Sequence, residues 1–382
     1  MALCYNWPMY LDRDYKPRRR KSRWRFWPLI LMAVLAIHFY NRPPEWINTT
    51  PLQPTPTPTR SAISWLAEAQ RYEQSGDWTR AIATYQVAES LEPDNPDPLV
   101  AQSRLLVLLD DIPQAVQLAR RAVDLAPEDA DALNALARAL DWQGEYDDAV
   151  DFALEAYLIE PSNADTLAIL GEIYADVGNW VRSQEYLDQA LEADPDNVLA
   201  HRNQAWLYER QGDYDLAIAA YNAAIERAPN RADLYIGKGL QYQALFMWDE
   251  AIEAYTQATE VNPNVAFTWD ALGWGLYLSG DPLQALRVLR QAVEVDPADG
   301  NAQAHLGLVY YARRNYEDAV PALETGISIL GDASRIEYYY QLGLAHIYKE
   351  PQECDKAIPW LNKALEIDPG SLPALEGLRV CG

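Results

Sequence analysis

Cysteine and histidine are scarce in this sequence, which has three cysteines and four histidines among 382 residues. It contains no Cys-x-x-Cys pair, no His-Glu-x-x-His motif and no histidine-rich cluster. Groupings of this kind supply the ligands of zinc and other transition metals. We therefore predict that the chain has no metal site and binds no cofactor.

Catalytic motifs are missing as well. The sequence has no Gly-x-Ser-x-Gly elbow, no phosphate-binding P-loop and no Gly-x-Gly-x-x-Gly between a strand and a helix. His201, His305 and His346 lie far apart in the sequence, and packing explains them better than acid–base chemistry. The sequence therefore predicts a protein that is not an enzyme.

Positive charge is scarce outside the N-terminus. The chain has 31 Lys and Arg against 56 Asp and Glu, a net charge of −25. Residues 1–25 carry a net charge of +6, so the remaining chain carries −31. A body this acidic repels nucleic acid and anionic membranes, and it favours basic partners. We predict no nucleic-acid partner.

The one long uncharged run is residues 26–40, which Arg25 and Arg42 bracket. We interpret this run as a single transmembrane helix, a signal anchor. Because the basic tail 1–25 precedes the run, the positive-inside rule predicts a cytoplasmic N-terminus and an extracytoplasmic body. A helix of this length spans only ~22 Å of the ~30 Å hydrocarbon layer. A cleaved signal peptide and a buried or interfacial helix therefore remain alternatives.

Residues 41–61 are rich in Pro and Thr and include the sequence Pro-Thr-Pro-Thr-Pro-Thr. Proline prevents regular helix and sheet hydrogen bonding, and such segments favour the extended polyproline II conformation. We predict a linker that holds the body away from the membrane.

From residue 62 the sequence repeats with a period of 34. In most copies an alanine is followed twelve residues later by a proline. The pairs are Ala81/Pro93, Ala115/Pro127, Ala149/Pro161, Ala217/Pro229, Ala251/Pro263 and Ala285/Pro297, with Ser183/Pro195 in one copy. Within residues 266–299, Leu272 and Leu276 have helical spacing, Gly280 can end that helix, and Pro297 stops a second one. The pattern therefore predicts that each copy folds into an antiparallel helix pair.

This pattern resembles the tetratricopeptide repeat over about four fifths of the chain. We count nine copies within residues 62–371, followed by a half-repeat, residues 372–382, that would cap the last hydrophobic face. The copies are 62–95, 96–129, 130–163, 164–197, 198–231, 232–265, 266–299, 300–333 and 336–371. The resemblance implies an all-α fold, a right-handed superhelical α-solenoid. It also implies a concave groove, lined by the first helix of each pair, that binds protein or peptide segments without catalysis.

The resemblance also implies which positions face the groove, namely the second, fifth, ninth, twelfth and thirteenth of each copy. Our candidates for partner binding are Arg138, Arg202, Trp206, Trp274, Tyr277, Tyr311 and Tyr340. Aromatic side chains in a concave surface can anchor a peptide or stack on a sugar ring. We predict a membrane-tethered scaffold for protein partners. The alternatives are a carbohydrate- or cell-wall-binding module and an accessory subunit of a membrane enzyme complex.

Two cysteines lie near the C-terminus. Cys354 falls in the helix–helix turn of the ninth copy, and Cys381 falls at the end of the half-repeat. Because successive first helices run roughly parallel, both thiols should reach the same edge of the array. A disulfide between them is expected if that edge is outside the cell, and two unpaired thiols are the alternative.

Overall fold

The computed structural model describes residues 27–41 and 60–382. These ranges contain 20 α-helices and, within them, no β-strand. Helix α1 is Trp27–Asn41. The others are α2 (Ala62–Gln74), α3 (Trp78–Leu91), α4 (Asp97–Leu108), α5 (Ile112–Leu125), α6 (Ala130–Gln143), α7 (Tyr146–Ile159), α8 (Ala164–Asp176), α9 (Trp180–Ala193), α10 (Val198–Gln211), α11 (Tyr214–Arg227), α12 (Ala232–Ala244), α13 (Trp248–Val261), α14 (Ala266–Leu278), α15 (Pro282–Val295), α16 (Gly300–Ala312), α17 (Tyr316–Leu330), α18 (Ile336–Tyr348), α19 (Cys354–Ile367) and α20 (Leu372–Cys381).

Helix α1 forms a unit separate from the repeats. Its 15 residues carry no Asp, Glu, Lys or Arg. At ~1.5 Å per residue the helix is ~22 Å long, shorter than the ~30 Å hydrocarbon layer of a membrane. None of the helices in the two described ranges is both long and apolar enough to span a bilayer. The structure therefore does not support the transmembrane helix that we predicted over residues 26–40. The basic tail and nearly all of the Pro/Thr linker lie outside the described residues.

The helices from α2 to α19 form nine consecutive pairs, and we call the two members of each pair helix A and helix B. A short turn joins the two helices and they pack along each other, so they are antiparallel. Side-chain capping explains where five of the nine B helices begin. The Asp281 side chain accepts a hydrogen bond from the Gln284 amide (3.0 Å) at the start of α15. The preceding Gly280 has a φ of +97°, which favours glycine at this turn.

Small residues set the distance between helix A and helix B. A Cβ atom on Gly171 would lie 2.6 Å from Leu187 Cγ, and one on Gly273 would lie 2.6 Å from Leu289 Cγ. Ser183, which replaces the repeated alanine, donates a hydrogen bond from Oγ to the Gly171 carbonyl (2.7 Å). Glycine is therefore required at positions 171 and 273. The Ser183 hydroxyl has a hydrogen-bond partner although it is buried.

The A helices form the inner layer of the solenoid. At most junctions helix A packs against helix A of the next repeat, whereas successive B helices are not in comparable contact. Helices that lie closer together on one side make that side concave. The side chains that point away from helix B on each helix A therefore line the concave surface.

The first repeat touches the fifth, sixth and seventh repeats, and we call this contact the latch. The Asn230 side-chain amide donates a hydrogen bond to the Gln74 carbonyl (3.2 Å). The rings of Trp78 and Phe267 stack with their centroids 6.4 Å apart. Gly76 packs against the Asn230 carbonyl so closely that a Cβ atom on it would lie 2.6 Å from that oxygen. The solenoid therefore winds back onto its own N-terminal end.

We expect Gly76→Ala to open the latch. The new methyl group collides with the Asn230 carbonyl oxygen, a backbone atom that cannot rotate away. Gly212 provides a matched control because it has nearly the same φ (+82°) but no atom within 4 Å of the place that a methyl group would occupy. Spin labels on cysteines placed at Ser75 and Glu226, with Cys4→Ser, would report a longer and broader distance in Gly76→Ala. An unchanged distance with intact helicity contradicts the latch.

Candidate functional site

Five aromatic side chains on the A helices of repeats 7–9 lie together with Tyr316, which begins helix B of repeat 8, and we call the six the aromatic strip. They are Trp274, Tyr277, Tyr311, Tyr316, Tyr340 and Tyr348. The ring centroids of Trp274 and Tyr277 are 5.1 Å apart. The Tyr316 ring centroid lies 5.6 Å from that of Tyr311 and 5.5 Å from that of Tyr348. Tyr340 lies near both Tyr277 and Tyr311. All six are at least partly exposed, so the strip can contact a ligand.

The orientation of the Trp274 indole is fixed by a histidine that packs against one face of the ring. Its indole stacks on the His305 imidazole with the centroids 4.2 Å apart. The Asp270 carboxylate lies 2.8 Å from His305 Nδ1, and the Tyr338 hydroxyl lies 3.3 Å from Nε2. Both ring nitrogens of His305 therefore have partners, which hold the imidazole in place against the indole. His305, which sequence reasoning assigned to packing, positions a candidate binding residue.

The phenols of Tyr311 and Tyr340 are uncharged at physiological pH. Burial, together with the nearby Tyr348, Tyr316 and Tyr340, raises the pKa of Tyr311 to about 12. Burial also raises the pKa of Tyr340. These two residues therefore offer apolar ring faces and hydroxyl groups that can donate hydrogen bonds, without adding to the negative charge of the body.

A buried ionic cluster occupies the concave side of repeats 3–5, centred on Glu172. Its carboxylate accepts hydrogen bonds from Arg138 Nε (3.1 Å), Trp142 Nε1 (3.0 Å) and Asn203 Nδ2 (3.1 Å), and it pairs with Arg202 Nη1. Burial alone would raise the pKa of Glu172, but the two guanidinium groups lower it to about 2. Glu172 is therefore ionised and joins three successive A helices.

Arg202 and Trp206, both predicted to contact a partner, make internal contacts in this cluster. The Arg202 guanidinium carbon lies 5.5 Å from the Trp142 ring centroid and 5.7 Å from the Trp206 centroid. Trp206 also donates a hydrogen bond from Nε1 to Asp176 (3.0 Å). That Arg202 binds a partner stays a prediction, although Glu172 neutralises its charge and indoles cover its faces. Trp206 keeps a partly exposed ring.

Asp141 gives the ionic cluster a pH dependence. Burial and the neighbouring carboxylates of Glu172 and Asp176 raise its pKa to about 9, in spite of Arg138. Because the folded-state pKa lies above the ordinary value of 3.8, protonated Asp141 favours the folded state, and this stabilisation is lost as pH rises from about 4 to 9. We expect Asp141→Asn to gain stability relative to the wild type between pH 5 and pH 9. Urea unfolding at pH 5, 7 and 9 measures this, and a constant difference across the series contradicts it.

The predicted site residues thus separate into two groups. Trp274, Tyr277, Tyr311 and Tyr340 come together in the aromatic strip, whereas Arg138, Arg202 and Trp206 belong to the ionic cluster. Sequence reasoning missed Tyr316 because it is the first residue of a helix B, whereas the positions assigned to the groove all lie on helix A. Its spacing from Tyr311, across the turn that joins the two helices, could have indicated it.

Comparison with known proteins supports the fold. Models of the tetratricopeptide repeat match residues 100–165, 170–232, 270–328, 232–265 and 336–371, which is more than half of the chain. No curated protein matches. A chain of the APC/C hetero-tetramer Cut9–Hcn1 is 19% identical, with a TM-score of 0.58, over 79% of this chain and 59% of that chain. Human IFIT1, in a dimer with PPP-AAAA, is 17% identical with a TM-score of 0.56. The match covers 84% of this chain and 82% of that chain.

These two likenesses concern architecture. At identities below one fifth they show the α-solenoid of helix pairs and nothing about a ligand. This chain spans about three fifths of the length of the first of the two structures.

Proposed function

We propose, since the chain belongs to the tetratricopeptide repeat family, that it is a non-catalytic scaffold whose aromatic strip binds an extended segment of a protein partner. The observation that carries this proposal is the strip itself, six neighbouring and partly exposed rings in repeats 7–9, five of them on A helices. Trp and Tyr are enriched among the few residues that carry most of the binding energy at protein interfaces. The negative charge of the body favours partners with Lys or Arg beside the bound segment.

Trp274→Ala should weaken binding about 30-fold, because loss of an anchoring aromatic costs about 2 kcal/mol. A synthetic library of 12-residue peptides, selected on the full chain, supplies the ligands, and fluorescence polarisation measures their affinities. We expect the selected peptides to combine Pro or aromatic residues with Lys or Arg. Trp269→Ala is the matched control, since Trp269 lies on the same helix and donates its indole N–H to the Pro263 carbonyl (2.8 Å) instead of joining the strip.

Equal affinities for the wild type and Trp274→Ala would remove the strip from the binding site. A glycan array run with the same variants tests the carbohydrate alternative. If a glycan binds in a way that requires Trp274, and the library yields no binding peptide, then the ligand of the strip is a carbohydrate and not a protein.

We also propose that the scaffold works on the extracytoplasmic side, tethered through its N-terminal segment. The basic cluster before the apolar run supports this orientation. The disulfide between Cys354 and Cys381 supports an oxidising compartment. A reporter that is active only in the cytosol, fused after Gly382, should stay silent, and an active reporter would overturn the orientation.

A further inference from the structure

The turn between helix A and helix B of repeat 6 departs from the pattern of the other repeats. In repeats 1–8 the fifteenth residue of the copy has a left-handed φ. It is a glycine in five of them, a polar residue in two, and Phe246, with a φ of +59°, in repeat 6. A left-handed φ is favourable for glycine and strained for a bulky side chain. Repeat 6 therefore holds a phenylalanine in a conformation that glycine would adopt without strain.

The residue that follows Phe246 departs from the pattern as well. The eight other B helices begin after Asp, Asn or Glu, whereas α13 begins after Met247, which makes no side-chain cap. A polar side chain at this position can cap the first amides of a helix, and methionine cannot. The backbone of the turn is unchanged, because the Met247 amide donates to the Tyr242 carbonyl (2.9 Å) as the Asp281 amide donates to the Leu276 carbonyl (2.9 Å) in repeat 7. Repeat 6 therefore gives up local stability at two adjacent positions without gaining a different turn.

Both side chains are exposed instead of packed into the core. Phe246 is 76% exposed and Met247 is 38% exposed. The Phe246 ring lies edge-on to the Trp248 indole, with the centroids 6.1 Å apart and the ring planes at 75°. These three side chains form an apolar projection at the tip of the turn, and we call them the knob. Apolar side chains that cost local stability and stay in solvent point to contact with another molecule.

Further apolar side chains flank the knob along the same edge of the solenoid. Successive repeats stack in one orientation, so the A–B turns of repeats 5, 6 and 7 lie side by side. Leu216 in repeat 5 and Leu278 and Leu283 in repeat 7 are exposed there. The knob is therefore the centre of an apolar edge and not an isolated surface residue.

The charge of this edge decides what kind of partner fits it. The three turns, residues 210–216, 244–250 and 278–284, contain five acidic residues and one basic residue, a net charge of −4. A second copy of this chain would bring the same negative edge, and an anionic membrane is also negative, so both are repelled. A surface with Lys or Arg around an apolar centre is attracted.

We propose that the knob inserts into an apolar pocket, rimmed by Lys and Arg, on a folded protein partner. Because the knob projects from a turn, this chain supplies the inserted side chain and the partner supplies the pocket. The inference goes beyond the proposed function, in which the aromatic strip supplies the binding surface and the partner supplies an extended segment. It does not depend on the strip.

Restoring the repeat pattern tests whether the knob serves stability or binding. Phe246→Gly with Met247→Asp gives repeat 6 the Gly-Asp turn of repeats 5 and 7, and we call this variant the restored turn. We expect its melting temperature, measured by circular dichroism on the full chain, to rise by about 2–4 °C, because glycine relieves the strain and aspartate caps α13. The reverse exchange one repeat later, Gly280→Phe with Asp281→Met, is the matched control and should lower the melting temperature. A lower melting temperature for the restored turn would show that the knob is needed for packing, which overturns the proposal.

Selection of binding domains tests the partner that we propose. The probe is a phage-displayed library of a three-helix domain with randomised surface positions, selected on the full chain. We expect a class of selected domains with apolar residues ringed by Lys or Arg. Their affinity, measured by biolayer interferometry, should fall at least about tenfold in the restored turn and in Asp249→Lys with Glu250→Lys, but not in Trp274→Ala. If no selected domain loses affinity in the restored turn, the knob is not a docking site.

Two further measurements identify the other occupants. Flotation with phosphatidylcholine vesicles that contain phosphatidylglycerol measures membrane binding, and sedimentation velocity measures self-association. Either property, if it is present in the wild type and lost in the restored turn, assigns the knob to a lipid surface or to a second copy and overturns the proposal. Equal behaviour of the two proteins supports a separate protein partner. The peptide affinities that test the aromatic strip should be the same in the wild type and the restored turn, so the two proposals can fail separately.

Discussion

Glu172→Gln is expected to lower the free energy of unfolding by about 3–5 kcal/mol, the usual cost of removing one partner from a buried ion pair. Glutamine keeps the shape and some hydrogen bonds of the side chain but removes its charge. Arg138 and Arg202, both buried, then lose the carboxylate that pairs with both of them. Because Glu172 joins repeats 3, 4 and 5, the lost stability should appear as early unfolding of the centre of the array. Circular dichroism during a urea titration measures this.

Glu185→Gln is the control for this experiment. Glu185 lies on helix B of the same repeat and is exposed, so its change should stay within about 0.5 kcal/mol. A triple variant, Arg138→Met with Glu172→Leu and Arg202→Met, should recover much of the stability, because apolar groups of similar size often replace a buried ionic triad without loss. A cost below about 1 kcal/mol for Glu172→Gln would show that the cluster is more hydrated than its burial indicates.

The helix pairs were predictable from the sequence because each is a local structure. A period of 34 with fixed small residues, turn glycines and prolines determines where helices begin, end and approach. The family models confirm that prediction over most of the repeats. The aromatic half of the candidate site was predictable for the same reason, since the position of a residue within its copy decides which way it points.

The latch and the ionic cluster were not predictable in this way. The latch brings Gln74 to Asn230 because small rotations between neighbouring repeats add up over five copies, and no single copy contains that information. The ionic cluster depends on side-chain length. Arg202 occupies a groove position, yet its guanidinium turns back to Glu172 one repeat earlier. Position alone therefore overestimates how many charged groove residues remain free for a partner.

The disulfide between Cys354 and Cys381 should contribute roughly 3–4 kcal/mol to the stability of the C-terminal end, as expected from the chain entropy of a loop of this length. It joins the first residue of α19 to the last residue of α20, with the Cα atoms 5.4 Å apart and a sequence separation of 27. Helix α20 is a single helix that packs on α18 and α19 and covers their apolar side chains. The disulfide therefore adds a covalent link to the apolar contacts that hold this single helix on the last repeat.

We therefore expect Cys354→Ser with Cys381→Ser to release α20 before the rest of the array unfolds. Hydrogen exchange of residues 372–381 should become much faster, whereas exchange in α6 to α10 stays unchanged, because each repeat depends mainly on its neighbours. Cys4→Ser is the control and should change neither region. Equal protection of α20 with and without the two cysteines would show that apolar packing alone holds the cap. The disulfide would then remain evidence only for the compartment in which the protein works.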